Sequence, residues 1–350
     1  MKKILKISAV ILGIIIFIPI AYIAFLRIIM YDPAPSEDVE YNSGSMLLSP
    51  GDKLSVLTFN IGYAGYNREE DFFMDGGKGV LPESSDSVMR NLSGIMSVIR
   101  EEGSDVVFIQ EVDVDSHRSF HINEDAYLSS QLGFGHSYAC NYKVLFIPYP
   151  IPPLGKMESG ISIYNPYTVS ETKRISLPDT APWYMKMGYL KRCVLMQRIP
   201  LNDASNHELV LMNFHMEAYT DEDKRDRQFE ALNELLTAEH EKGNYVIAGG
   251  DFNQSFDKLD NPPVRSQTGW DPGSMSEEDI AEGFSLAVAD NAPSCRSLEE
   301  PYIDYDTSQT YIIDGFIVSD NIRVDSVRVC DHGFEYSDHN PVKLEVTLNR

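Results

Sequence analysis

Positive charge is scarce in this chain of 350 residues: 29 Lys and Arg stand against 53 Asp and Glu, a net charge of −24. General duplex binding normally uses a clustered basic face, so this balance argues against it, while leaving room for a local basic cleft. Cysteine is sparse too. Cys140, Cys193, Cys295 and Cys330 lie far apart with no CxxC pair, which argues against a zinc cluster. An exported domain could form one or two disulfides from them, but nothing in the sequence pairs them. There is no HExxH run and no His-rich spacing, so a zinc hydrolase is disfavoured. No internal repeat is visible. The two tryptophans, Trp183 and Trp270, fall in Pro-rich loops that assign them no role.

What is present reads as a globular chain, 43% hydrophobic and 23% charged. The N-terminus carries "ISAVILGIIIFIPIAYIAFL" (Ile7–Leu26), 20 residues without a charge. As a helix this spans roughly 30 Å, about one hydrocarbon core. A cleaved signal peptide has a shorter apolar region and a small-residue cleavage site, so an uncleaved single-pass anchor over residues 7–30 is the expectation. Lys2, Lys3 and Lys6 precede the span. Arg27 follows it, and then Asp32, Glu37, Asp38 and Glu40. The bias predicts residues 1–6 in the cytoplasm and the long C-terminal part on the extracytoplasmic side of the cell membrane. Residues 31–52 are Pro-, Ser- and acid-rich and read as a flexible linker with an r.m.s. span of roughly 25 Å. Residues 53–350 form the expected catalytic domain.

Within that domain short apolar strands alternate with two amphipathic helices. "LSVLTF", "DVVFIQ", "GISIYN", "CVLMQRI", "ELVLMNF", "NYVIAGG", "TYIIDGFIVS", "RVDSVRV" and "VKLEVTL" read as strands. Ser84–Glu102 carries Val88, Leu92, Ile95, Met96 and Ile99 on one helical face. Asp221–Glu241 turns Phe229, Leu232, Leu235 and Leu236 inward, has the solvated first turns "TDEDKRDR", and is stopped by Gly243. Two helices among at least nine strands predict a mainly antiparallel or mixed two-sheet core covered by helices, an α/β chain of the α+β kind.

The polar residues fall in a pattern. Asn60, Glu111 and His215 stand where apolar strands run out. Asp251 and Asn253 follow "VIAGG", Asp314 interrupts "TYIIDGFIVS", and Asp338 and His339 precede the last strand. One such residue is usually a turn or cap; this many, all competent for metal or proton, point to a site. Phosphoester hydrolysis needs charge neutralised on the phosphoryl oxygens, an activated water and a path for the leaving group. Asn60 and Glu111 offer hard oxygen ligands of the kind Mg²⁺ takes. His339 can accept a proton from water if a carboxylate, here Asp314, orients its other nitrogen. Asp251 and Asn253, two apart in an extended segment, would point the same way. His215 is placed to stabilise phosphoryl charge or protonate the leaving oxygen.

Taken in order, "LTFNIG", "IQEVD", "NFH", "GGDFN", "IIDGFIVS" and "YSDHNPV" resemble the motifs of the endonuclease/exonuclease/phosphatase (DNase I-like) superfamily over about Lys53–Leu348. The resemblance implies a four-layer αββα sandwich of two mixed β-sheets flanked by helices, and a Mg²⁺-dependent phosphohydrolase, with Mn²⁺ as the alternative ion. It also implies Asn60, Glu111 and Asp338 around the metal, Asp251 and Asn253 positioning water and phosphate, and His339 with Asp314 as the catalytic pair. His215 would be the second histidine of the DNase-like branches. "NIGYAGYNREEDFFMDGGK" and "VDVDSHRSFHIN" further resemble a bacterial, membrane-anchored RgfB-like subgroup. The substrate stays open among nucleic acid, a sphingomyelinase-like phospholipid head group and a small phosphate ester. A non-catalytic binding module on the same fold is the other class.

Weaker features remain. "FFMDGGK" lacks the context of a phosphate-cradling loop and reads as a rim loop, with Asp75 or Lys78 at the entrance if it has a role. Arg118 and His121 in "RSFHIN" fit a solvated turn or a substrate contact. Cys140–Gly160, apolar and Pro-rich, is expected as a packed loop over the core; a lid, or a surface dipping toward lipid, are its alternatives. Asn141 and Tyr142, with Lys143, are candidate pocket residues at its start.

Overall fold

The structure, a computed structural model, describes residues 2–182, 185–204, 206–218, 222–265, 270 and 272–350. Trp183, and Asp221 at the start of the second expected helix, lie outside the described residues. Two seven-stranded sheets pack face to face. The first runs, in spatial order, Ile322–Val329, Val342–Leu348, Lys53–Asn60, Val106–Asp113, Gly155–Asn165, Gly135–Ile147 and Tyr41–Asn42. The second runs Ser36–Asp38, Glu171–Ser176, Cys193–Pro200, Glu208–His215, Tyr245–Asp251, Asp314–Ser319 and Phe284–Ala287. In each sheet one pair is parallel, Lys53–Asn60 with Val106–Asp113 and Glu208–His215 with Tyr245–Asp251. The other pairings are antiparallel.

The reason is connectivity. A parallel pair needs a crossover, and each crossover here contains one of the two long helices. Ser85–Glu102 begins on the Ser84 side chain, which accepts from the Ser87 N–H, and ends at Gly103 in the left-handed region, φ 60°. Its Val88, Leu92, Ile95, Met96 and Ile99 are buried against Leu57, Phe59, Val107 and Ile109 of the first sheet. Glu222–His240 covers the second sheet through Phe229, Leu232 and Leu236, which meet Val210, Met212, Val246 and Ala248. The opposite faces of the same strands, Val56, Phe108 and Ile163 on one side and Leu211, Ile247 and Phe316 on the other, fill the space between the sheets. This is the expected four-layer sandwich. It also holds a third helix in the domain, Glu124–Leu132, which the periodicity did not show because it is only two and a half turns long and weakly amphipathic.

The sheets are docked by polar bonds as well as apolar ones. Gln110 donates to Asn213 Oδ1 at 2.7 Å, and Asn213 donates back to the carbonyls of Ile109 and Ser162, all fully buried. Asn165 donates to Gln197 across the same interface at 2.8 Å. Pairings of this kind are costly if half made, so they fix the alignment of the two layers.

Two expectations are corrected. Residues 31–52 do not form a free linker: Ser36–Asp38 adds to the edge of the second sheet, Tyr41–Asn42 to the edge of the first, and Leu48 is in the core. Cys140–Gly160 is not a loop packed over the core. It is most of a hairpin, whose strands Gly135–Ile147 and Gly155–Asn165 extend past the sheet and expose an apolar tip. The four cysteines are free thiols, three of them buried. Among the described residues one helix, over Lys6–Ile29, is long and apolar enough to cross a membrane, with mean hydropathy 2.8.

Candidate active site

The candidate residues meet at one end of the sandwich because strand direction brings them there. Asn60, His215 and Asp251 are the last residues of parallel-paired strands, while Asp314 begins an antiparallel neighbour. In the second sheet Asp251 is in register with His215 on one side and Asp314 on the other. In-register neighbours point to the same face about 4.8 Å apart, so three strand ends deliver three polar groups side by side. The "SDHNP" turn brings Asp338 and His339 from the first sheet over this row, and Cys295 and His339 form an isolated bridge.

His339 is the hub. Its Nδ1 lies 2.9 Å from Asp314 Oδ2, and its Nε2 faces Asp251 Oδ2 at 3.7 Å and Asn60 Nδ2 at 3.4 Å. The Ser294 hydroxyl donates to Asp314 Oδ2 at 2.7 Å and accepts from the Ile313 and Asp314 N–H groups. Burial opposes a charge on His339, but Asp314 and the neighbouring Cys295 outweigh it and hold the imidazole well above its usual pKa. His215, 3.5 Å from Asp251, goes the other way: burial, Arg192 and His339 keep it neutral. It can therefore serve as a neutral hydrogen-bond donor. Burial and the Asp314 carboxylate push Asp251 up to about 7, against the opposing pull of His339, Asn60 and the Asn253 N–H.

Glu111 does not end its strand. It sits inside Val106–Asp113 at a break in the pairing with Gly155–Asn165, with φ 55°. A bulge of this kind re-aims a side chain, here toward the end of the sheet. Glu111 Oε1 accepts from Asn60 Nδ2 at 3.2 Å, and the same amide donates to Asp251 Oδ2 at 3.0 Å. Asn60 Oδ1 accepts from the Gly62 N–H. Asn60 thus bridges two carboxylates through nitrogen, where an oxygen toward a metal was expected. Asp251 and Asn253 do not lie in an extended segment either. Asn253 has φ 52°, its N–H bonds Asp251 Oδ1 and its amide donates to the Met216 carbonyl. A tight side-chain turn has replaced the extended geometry.

Above these groups opens a cleft of about 460 Å³. Glu111, Asp251, Asn253, Asp338, His339 and His215 line its floor, with Arg118, Asn141 and Tyr142 on the wall. Asn60 and Asp314 lie beneath, bonded to lining residues. Arg118 makes a two-pronged pair with Asp113 and stacks 3.6 Å from the centre of the Tyr63 ring. His121 is half out in solvent on Asp115. Asp75 borders the cleft. The upper wall is apolar, with Phe72, Phe73, Ile147, Tyr149, Leu154 and Met185.

Three residues of the site gave no local signal. Arg192 lies buried beside His215, one Nη donating to the His215 carbonyl at 3.4 Å. Arg296 is buried and donates to the carbonyls of Asn67 and Glu70, tying the loop after Asn60 to the segment after Cys295. Ser294 fixes Asp314. With Arg118, the two arginines place three guanidinium groups in the cleft lining, where Asp75, Glu111, Glu217, Asp251 and Asp338 also stand, so no basic cleft forms.

Do these residues fit a divalent cation? Burial, and then Glu111, push the Asp338 carboxyl up to about 6, opposed by His339 and Arg296. Carboxylates that repel one another in a buried, oxygen-rich floor fit a hard cation. Asp251, Asp314 and His339 also bring ligand atoms within 4.8 Å of one another. Asp314 Oδ2 is engaged by His339 and Ser294, while its Oδ1 is buried without a hydrogen-bond partner.

The site is thus an end-of-sandwich cluster of carboxylates around an Asp–His pair, between two mixed sheets. A model of the Endonuclease/Exonuclease/phosphatase family matches residues 57–339, and the chain belongs to that family. Solved structures with the same fold include an endonuclease/exonuclease/phosphatase from Beutenbergia cavernae, with a TM-score of 0.60, 18% identity, and coverage of 85% of this chain and 72% of that one. A second, from Bacteroides vulgatus, has a TM-score of 0.53, 17% identity and coverage of 85% and 100%. D. rerio TDP2, complexed with a single-strand DNA product, has a TM-score of 0.52, 15% identity and coverage of 85% and 99%. No curated protein matches the chain.

Proposed function

We propose that this chain is a divalent-cation-dependent phosphoester hydrolase, held at the cell membrane by the Lys6–Ile29 helix with its catalytic domain on the extracytoplasmic side. The observation that carries the reading is the Asp314–His339–Asp251 row beneath a cleft floored by Glu111 and Asp338. Glu111 and Asp338 would hold Mg²⁺, or Mn²⁺, with the Asn60 amide linking Glu111 to Asp251. The cation supplies charge neutralisation for the phosphoryl oxygens. His339, made basic by Asp314, takes the proton of the attacking water at Nε2, and Asp314 stabilises the imidazolium that results. Asp251, fixed by Asn60 and the Asn253 N–H, orients that water. Arg192 and neutral His215 donate hydrogen bonds to the phosphoryl group. As the water oxygen bonds to phosphorus, the P–O bond to the leaving group breaks and the leaving oxygen takes its proton from solvent. His339 afterwards releases to solvent the proton it accepted. Asn141, Tyr142 and Arg118 shape the wall that receives the rest of the substrate. The net charge of −24 favours a phospholipid or small phosphoester over duplex nucleic acid.

The test is turnover of bis-p-nitrophenyl phosphate by the full chain in detergent, with Mg²⁺ and with EDTA. Activity that needs Mg²⁺ and falls by a factor of about 10²–10⁴ in His339→Ala is expected. Full activity in either EDTA or the His339→Ala variant would overturn the reading.

A further inference from the structure

The hairpin tip exposes four large apolar side chains close together in sequence. Ile151 is 92% exposed, Tyr149 69%, Leu145 57% and Phe146 45%. Apolar side chains presented together at this exposure mark a surface that something covers.

The chain itself says what. The apolar helix ends at Ile29, and Tyr31, two residues on, is already fastened: its hydroxyl donates to the Cys140 carbonyl at 3.2 Å. The Arg174 guanidinium lies 5.9 Å from the Tyr31 ring centre and donates to the same Cys140 carbonyl. Ser176 donates to the Ala34 carbonyl, and Ser36–Asp38 then joins the sheet edge. There is no slack between helix and domain. Cys140 belongs to the Gly135–Ile147 strand, the one that runs out to Leu145 and Phe146. Farther up the helix, the Tyr22 hydroxyl meets the Phe146 carbonyl at 3.5 Å. Tyr22 is seven residues before Ile29, or about 10 Å along a helix axis. A tip that touches the helix at that height lies below the surface of whatever membrane the helix crosses.

We infer that the 145–151 hairpin tip is a second membrane contact, inserted in the lipid interface beside the N-terminal helix. Leu145, Phe146, Tyr149 and Ile151 enter the boundary between headgroups and acyl chains. Ile147, Tyr149 and Leu154 of the same hairpin also line the cleft, so its apolar wall opens at headgroup level. The inference rests on the membrane-anchored reading above, not on catalysis.

The experiment uses the full chain in phosphatidylcholine–phosphatidylglycerol nanodiscs. Ile151→Cys carries an environment-sensitive fluorophore, and the unsubstituted chain gives the labelling background. Val324→Cys, on the edge strand at the opposite side of the first sheet, is the water-exposed control. A probe ~5–10 Å inside the interface should be blue-shifted, and quenched by doxyl lipids at least about twofold more than at Val324. Leu145→Cys gives an independent reading if the first variant does not fold. Emission like that of Val324 at both tip positions would overturn the inference. So would a shift that tracks protein concentration and ignores doxyl lipid, because that would seat a second copy there. No turnover is needed, so failure here is distinguishable from failure of the catalytic reading.

Discussion

His339 Nδ1 lies 2.9 Å from Asp314 Oδ2, and the other ring nitrogen of His339 faces Asp251 across 3.7 Å. The ring is therefore held at one edge and open at the other. A base needs that arrangement, because the bonded edge fixes the tautomer and leaves the free edge for the proton.

From this follows a ranking of variants. His339→Ala should lower kcat by a factor of about 10²–10⁴, while Asp314→Asn, which keeps the shape but loses the charge, should lower it less and shift the pH–rate profile. KM for a small phosphodiester should change little in either. Steady-state kinetics across pH on bis-p-nitrophenyl phosphate checks both.

Gly62 has φ 48°, and a Cβ there would stand 2.6 Å from Asp338 Oδ1. Gly62→Ala should cost about 1–2 kcal/mol in backbone strain and displace Asp338. The expected signature is a higher Mg²⁺ requirement together with a small drop in melting temperature. A variant with unchanged Mg²⁺ dependence would separate Asp338 from the cation.

Asn213→Ala should destabilise by about 1–3 kcal/mol, since Gln110 keeps Thr58 Oγ1 but loses Asn213 Oδ1, and the Ile109 and Ser162 carbonyls lose the Asn213 amide in a dry interface. Chemical denaturation measures this directly. Asn213→Leu, which fills the volume, should recover little because those hydrogen bonds stay unmade.

Acid should weaken the fold at a defined place. Burial alone would raise the Glu239 carboxyl, but hydrogen bonds from Arg198, Lys242 and Asn244 prevail and hold it at about 2, against 4.5 for a free glutamate. A depressed carboxylate contributes stability that is complete above about pH 4.5 and is lost as pH falls toward 2. Glu239→Gln should therefore lower the melting temperature at pH 7 and flatten its fall between pH 4.5 and 2.

Much of this was legible locally. Both long helices carry apolar stripes, Ser85–Glu102 carries its own caps, and the strand-end positions of Asn60, His215, Asp251 and His339 follow from where apolar runs stop. The rest depends on distant partners. Ser36–Asp38 has no strand pattern of its own and pairs because the edge of Glu171–Ser176 is open to it. The bulge at Glu111 comes from the register of the Gly155–Asn165 strand. Arg192, Ser294 and Arg296 sit in ordinary-looking stretches and act through residues about 20 to more than 200 positions away. The apolar run of Cys140–Gly160 leaves a loop over the core, a lid and a lipid-facing surface all open, because such a run does not say which medium it faces.

The two parallel pairs, one in each sheet, divide the site between them. Asn60 and Glu111 come with one layer, and His215 and Asp251 with the other. Neither layer alone holds the whole set, so turnover by the proposed reaction would report assembly. On the proposed function, a refolding molecule would regain hydrolysis only when its two halves have closed on Gln110 and Asn213.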